Sequence, residues 1–150
     1  MKVRLAVSQE RYGEIKASLE RRGIAVDDTA DLILSECSRF TDNLLVKDGA
    51  DGSHVILPAE EVVLIESYGH SVEVQTHSNT YQAFGRLYQI ASLLDPADFL
   101  RISNSVIIAK KKVQKITPKL SMKFVLTMSN GRTVDVTRSY YYIFKEAFGI

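Results

Sequence analysis

An Asn-Gly step between two alternating runs constrains this chain more than any other feature. Lys123–Met128 and Arg132–Thr137 flank Ser129-Asn130-Gly131, and Asn-Gly is the dipeptide that most readily turns one strand back onto the next. The end of the chain therefore folds as a β-hairpin. From Thr41 onward the same pattern recurs, short apolar runs broken by turn residues. Leu44–Lys47 and His54–Leu57 bracket the loop Asp48-Gly49-Ala50-Asp51-Gly52 as another hairpin. Val62–Ile65, Phe99–Ile102, Val106–Ile108 and Val113–Ile116 read as further strands. Ser71–Thr76 alternates, with Val72 and Val74 inward and Glu73 and Gln75 toward water. One segment has a helical period: Gly85–Leu94 aligns Leu87, Ile90, Ala91 and Leu94 on one stripe, and Asp95-Pro96 stops it. Residues 42–150 are thus expected to form a mainly β domain with some α, built of short strands and one packed helix.

The first 41 residues read differently. Lys2 to Val7 alternates, with Val3, Leu5 and Val7 on one face. Ser8 stands where it would cap a helix over about residues 9–22, along which Tyr12, Ile15 and Leu19 recur. Gly23 supplies the left-handed residue that commonly ends a helix, and Leu32–Leu34 returns as a strand. A small β-α-β module is expected over residues 1–41. Asp27, Asp28 and Asp31 fall in its turn region, where a solvated acidic turn is favoured over a cation site.

A chain of 150 residues can bury a core without disulfides or a structural metal. Its single cysteine, Cys37, cannot pair within the chain, which points to a reducing compartment. No apolar run has the length of a signal or spanning helix, so a cytoplasmic location is expected. The net charge of +1 hides an asymmetry. Residues 1–66 hold eight Lys/Arg against thirteen Asp/Glu, whereas residues 101–150 hold ten against two, Asp135 and Glu146. Such segregation suggests a basic contact surface carried by a more acidic remainder.

No residue set points to catalysis. His54, His70 and His77 lack metal-pair spacing, Cys37 has no Cys-x-x-Cys partner, and no nucleophile elbow or phosphate-binding loop occurs. The glycine-rich loop at 48–52 has the wrong spacing, and no amphipathic helix follows it. Tyr140-Tyr141-Tyr142 is expected to pack onto a sheet. Catalytic residues, a metal, a cofactor and a small-molecule substrate are accordingly not expected.

Three blocks, in order, resemble one family. Ile56-Leu57-Pro58-Ala59-Glu60-Glu61-Val62-Val63-Leu64-Ile65-Glu66-Ser67-Tyr68-Gly69 resembles the opening of LytTR DNA-binding domains. Phe99-Leu100-Arg101-Ile102-Ser103-Asn104-Ser105 is similar to that family's Phe-x-Arg-x-His-x-Ser block. The Asn130-Gly131 hairpin, ending Val136-Thr137-Arg138-Ser139-Tyr140, is similar to its Asn-Gly … Val-Ser-Arg-Arg-Tyr close. The resemblance covers about residues 42–148. It implies an elongated β-sandwich that reaches the major groove of double-stranded DNA with loops instead of a recognition helix. The base-contacting residues it implies are His70 in the first loop, Asn104 in the second, and Arg138 and Ser139 in the third. Asn and Arg suit adenine and guanine edges. Arg101, Lys110, Lys111 and Lys112 are the expected phosphate contacts.

The sequence departs from the family pattern at two places. Ala109 and the lysine run replace the usual Asn after the second block, and Ser139 replaces the second Arg of the closing block. Sequence preference should differ accordingly. The resemblance further implies a transcription regulator acting as two copies on direct repeats. About 41 residues before the domain are too few for a phosphorylated receiver, and Val7-Ser8-Gln9 lacks a receiver's acidic pair. A membrane-protein antagonist is a partner the resemblance allows. The competing expectation is a protein-interaction module whose N-terminal part binds a partner, with DNA contact secondary.

Overall fold

The computed structural model describes residues 1–36 and 40–150; Cys37 lies outside the described residues. The chain divides into two compact units, Met1–Phe40 and Thr41–Ile150. No described helix is long and apolar enough to cross a membrane.

The N-terminal unit runs β1 (Lys2–Ala6), α1 (Gln9–Arg21), β2 (Ala25–Val26) and β3 (Leu32–Ser35). Its sheet has the order β2-β1-β3, and β1 pairs in parallel with both neighbours. The α1 helix starts after Ser8, but the Ser8 hydroxyl makes no cap bond. Instead the Ser8 N–H donates to Glu36 Oε1 at 2.7 Å. The other end follows the sequence expectation. Gly23 is left-handed (φ 77°), Gly23 N–H donates to the Glu20 carbonyl, and Ile24 N–H donates to the Leu19 carbonyl. These are the paired bonds of a Schellman stop. The β2 strand is an addition to the expected β-α-β pattern. Among the described residues of this unit, only Val3 and Ala30 are buried hydrophobics.

The unit boundary also relocates the acidic excess. Residues 1–40 carry seven cations and seven anions, whereas residues 41–66 carry one cation, Lys47, and six anions. The acidic stretch therefore belongs to the start of the second unit.

The second unit contains β4 (Asn43–Asp48), β5 (His54–Pro58), β6 (Leu64–Tyr68), β7 (Ser71–Gln75), β8 (Thr80–Ala83), α2 (Leu87–Leu93), β9 (Phe99–Arg101) and β10 (Val106–Ala109). They are followed by β11 (Val113–Lys119), β12 (Lys123–Met128), β13 (Thr133–Val136) and α3 (Tyr141–Phe148). Strands β4 to β10 form one antiparallel sheet of order β5-β4-β8-β7-β6-β10-β9, and β11-β12-β13 form an antiparallel meander. Adjacent residues of β6 and β10 enter opposite cores. Ile65 and Ile107 pack with Val46, Val74, Ile90 and Leu94 under α2. Leu64, Val106 and Ile108 pack with Leu126, Met128, Val136 and Phe144 under the meander and α3. All four residues of β10 are buried. An uninterrupted apolar run is what a strand covered on both faces requires.

The Asn130-Gly131 hairpin forms as expected, with one refinement. Gly131 is left-handed (φ 86°) while Asn130 is not, and Met128 N–H bonds the Arg132 carbonyl. The loop is thus the three-residue turn Ser129-Asn130-Gly131, closed by a left-handed glycine. The sequence expectation of one helix in this unit is corrected by the second, α3. Of the Tyr140–Tyr142 run, Tyr140 and Tyr141 pack against the core while Tyr142 is exposed: the Tyr141 ring, in α3, stacks on Phe124 at 4.9 Å, and Phe144 lies against both Phe124 and Phe148.

Candidate nucleic-acid interface

Strand pairing brings three loops together. β10 is antiparallel to β6, with Val106 opposite Glu66, and to β9, with Ile107 opposite Arg101. The C-terminal ends of β6 and β9 therefore meet the start of β10. Ser67 N–H bonds the Ser105 carbonyl at 2.8 Å, joining the β6 end to the β9–β10 loop. The end of β13 arrives through Thr137 N–H, which bonds the carbonyl of fully buried Ile102 at 3.0 Å. A 3-10 turn, Arg138–Tyr140, then leads into α3. Its Tyr140 hydroxyl donates to Asn104 Oδ1 at 3.2 Å. His70 sits in the β6–β7 turn after left-handed Gly69 (φ 57°). His70, Asn104, Arg138 and Ser139 are all exposed at this end.

The Asn104 loop is held from within. Arg101 Nε donates to the Ser103 carbonyl at 3.0 Å, and a terminal guanidinium nitrogen donates to the Asn104 carbonyl at 2.6 Å. Ser103 is buried, and its Oγ accepts from Ser105 N–H. Arg101, expected at phosphate, thus turns two of its donors inward. The nearby charges are likewise committed. Arg132 lies 3.0 Å from Glu66 Oε1, and Tyr68 donates its hydroxyl to the same oxygen. That bond to Glu66 raises the Tyr68 pKa, and the bond between Tyr68 and Arg132 raises that of Arg132. Lys123 pairs with Asp135 at 2.8 Å. Arg138 makes no ion pair with Asp135, Glu146 or any other carboxylate among the described residues.

Lys110, Lys111 and Lys112 form a 3-10 turn at the opposite end of β10 from Asn104. Four strand residues separate the two ends by about 13 Å. Lys110 Nζ donates to the Pro96 carbonyl at 2.9 Å, and the Lys112 carbonyl accepts from Ser129 N–H at 2.7 Å. The structure therefore brings His70, Asn104, Arg138 and Ser139 together and leaves the three lysines apart from them. Two cations absent from the sequence reading bridge this gap. β11 carries exposed Lys115 and Lys119, and Lys119 pairs with Lys123 at the Arg138 end of the meander. Their spacing of four places them on one face of a strand, a signal available in the sequence.

Among the described residues no group of three His, Cys, Asp or Glu could hold a metal. Asp27, in the acidic turn, accepts instead from both the hydroxyl and the N–H of Thr29. These bonds lower its pKa, the hydroxyl first.

Residues 52–149 match the LytTr DNA-binding domain, and the chain belongs to this LytTR family. The chain is similar in structure to a solved LytTr DNA-binding domain from Bacillus cereus. That match has a TM-score of 0.68 and 24% identity, covering 73% of this chain and all of the other. Among characterised proteins, the chain is 28% identical over 102 residues to the sensory transduction protein LytT of Enterococcus faecalis, covering 68% of this chain and 42% of that protein. It is 25% identical over 124 residues to the transcriptional regulatory protein LytR of Staphylococcus aureus strain MW2, covering 83% and 50%. The chain spans about half the length of the curated relatives it matches.

Proposed function

We propose that this chain is a sequence-specific DNA-binding transcription regulator whose second unit reads base edges in the major groove with His70, Asn104, Arg138 and Ser139. The convergence of their three loops at one end of the fold carries this reading. Asn104 has the clearest role. Its Oδ1 has a second lone pair after accepting from Tyr140, so the amide can still accept from adenine N6 while donating to N7. Arg138 would serve guanine, and His70 would donate to a purine acceptor or a phosphate.

Arg101 acts by shaping the loop that presents Asn104. Phosphate contact falls to Lys110, Lys111 and Lys112, with Lys115 and Lys119 along β11. Such contacts fix register on the duplex without reading sequence. Two copies would occupy direct repeats on one face of the duplex, in the cytoplasm. Selection of binding sites by the full-length chain from random duplexes tests this function. A repeated motif should be enriched. Adding about half a turn, roughly 5 bp, between the repeats should remove cooperativity, and a full turn should restore part of it. Enrichment of no sequence over random DNA would refute the proposal.

A further inference from the structure

We propose that the free edge of β3 is completed by β3 of a second copy of this chain, joining two N-terminal units into one six-stranded sheet. The inference goes beyond the DNA-binding reading: it concerns how two N-terminal units associate without DNA, and its test uses no DNA.

The chain contains its own reference for what β3 lacks. In β10, Val106-Ile107-Ile108 is an uninterrupted apolar run and is buried on both faces. In β3, Leu32-Ile33-Leu34 is the same kind of run, yet these residues are 52%, 37% and 38% exposed. Both runs have the pattern of a strand covered on each side, but β3 stands at the edge of its sheet. A polar-apolar alternation would be expected if one face were meant for water.

The unit is also under-built by itself. Among its described residues only Val3 and Ala30 are buried hydrophobics. Chains below about 40 residues usually need disulfides, a metal or association to be stable. Cys37 has no second cysteine to pair with, and the described residues hold no metal cluster. Association with a second copy is the route that the β3 edge offers.

The occupant follows from the edge. Unpaired backbone N–H and carbonyl groups call for another strand. The molecule protects another edge strand, β11, with Lys115, Pro118, Lys119 and a register shift between Val113 and Lys115, whereas β3 bears no charge and no proline. The strand is complementary to itself. Antiparallel pairing centred on Ile33 sets Leu32 of each copy against Leu34 of the other, Ile33 against Ile33, and Asp31 against Ser35. No like charges face each other. Residues 1–40, with equal cations and anions, impose no net repulsion between copies. The contact is isologous, relating the two N-terminal units by a two-fold axis.

Sedimentation of the full-length chain without DNA, from micromolar to submillimolar concentration, should show a monomer–dimer equilibrium. Ile33→Lys should raise the dissociation constant about thirtyfold or more, as for a central interface residue, while circular dichroism and melting stay close to wild type. Leu45→Lys, at an exposed leucine of β4, should leave the dimer intact. If Ile33→Lys impairs folding, cross-linking provides the second readout. In a Cys37→Ser background, Ile33→Cys should form a disulfide-linked dimer on mild oxidation, because facing strand residues lie about 4.5–5.5 Å apart between Cα atoms. Ala25→Cys, on β2, should not. A wild-type chain that stays monomeric, a dimer lost with Leu45→Lys but not Ile33→Lys, or equal cross-linking at 25 and 33 would overturn the proposal.

Discussion

The two ends of β10 are built for different work. At its start, side-chain hydrogen bonds fix the loop: Arg101 holds two carbonyls, Ser103 closes a turn, and Tyr140 holds Asn104. At its end stand three consecutive lysines, with only Lys110 bonding through its side chain, to a single carbonyl. A base edge demands a donor and acceptor at fixed positions, so the end proposed to read bases would need such a braced loop. A phosphate row rewards charge over a range of geometries, and long lysine stems suffice. On the proposed function, the same strands would carry geometric discrimination at one end and sequence-blind attraction at the other.

The largest expected effect concerns the brace beneath the reading end. Phe144 is fully buried against Phe124 and Phe148, and α3 follows directly from the turn holding Arg138 and Tyr140. Phe144→Ala should cost about 3–5 kcal/mol of stability in denaturant melts. A loss below about 1 kcal/mol would mean that α3 is not part of the core. Next comes Arg101→Ala, which removes two charge-assisted bonds from the Asn104 loop. It should reduce preference for the selected site about tenfold, with random-DNA affinity almost unchanged. Equal weakening on both duplexes would assign Arg101 to phosphate. The smallest effect belongs to Lys111→Ala. It should weaken specific and random binding alike and lower the salt slope by about 1. A change confined to the selected site would break the division between the two ends.

How far the sequence carried depended on whether a feature was periodic. The β12–β13 hairpin was legible because two alternating runs and Asn-Gly agree. β10 was legible as an apolar run. α3 was not, because Tyr140 to Phe144 is aromatic or aliphatic at every position, shows no polar face, and suits a strand by propensity. Its N-cap is Tyr140, without a side-chain cap bond. β2 has two residues and β8 four, too short for alternation to declare itself. The site residues were named only through resemblance to a family, since exposed loop side chains follow no period. That Asn104 meets Tyr140, 36 residues away, depends on the order of strands in two sheets. The inward turn of Arg101 and the separation of Lys110–Lys112 from Asn104 depend on the same three-dimensional order.

The most direct test measures Asn104→Ala on the selected site and on random duplex at one salt concentration. Loss of a paired base contact should reduce preference for the selected site by about 1–3 kcal/mol and leave random binding nearly unchanged. Equal loss on both duplexes would show that Asn104 reads no base and would contradict the account of the braced end.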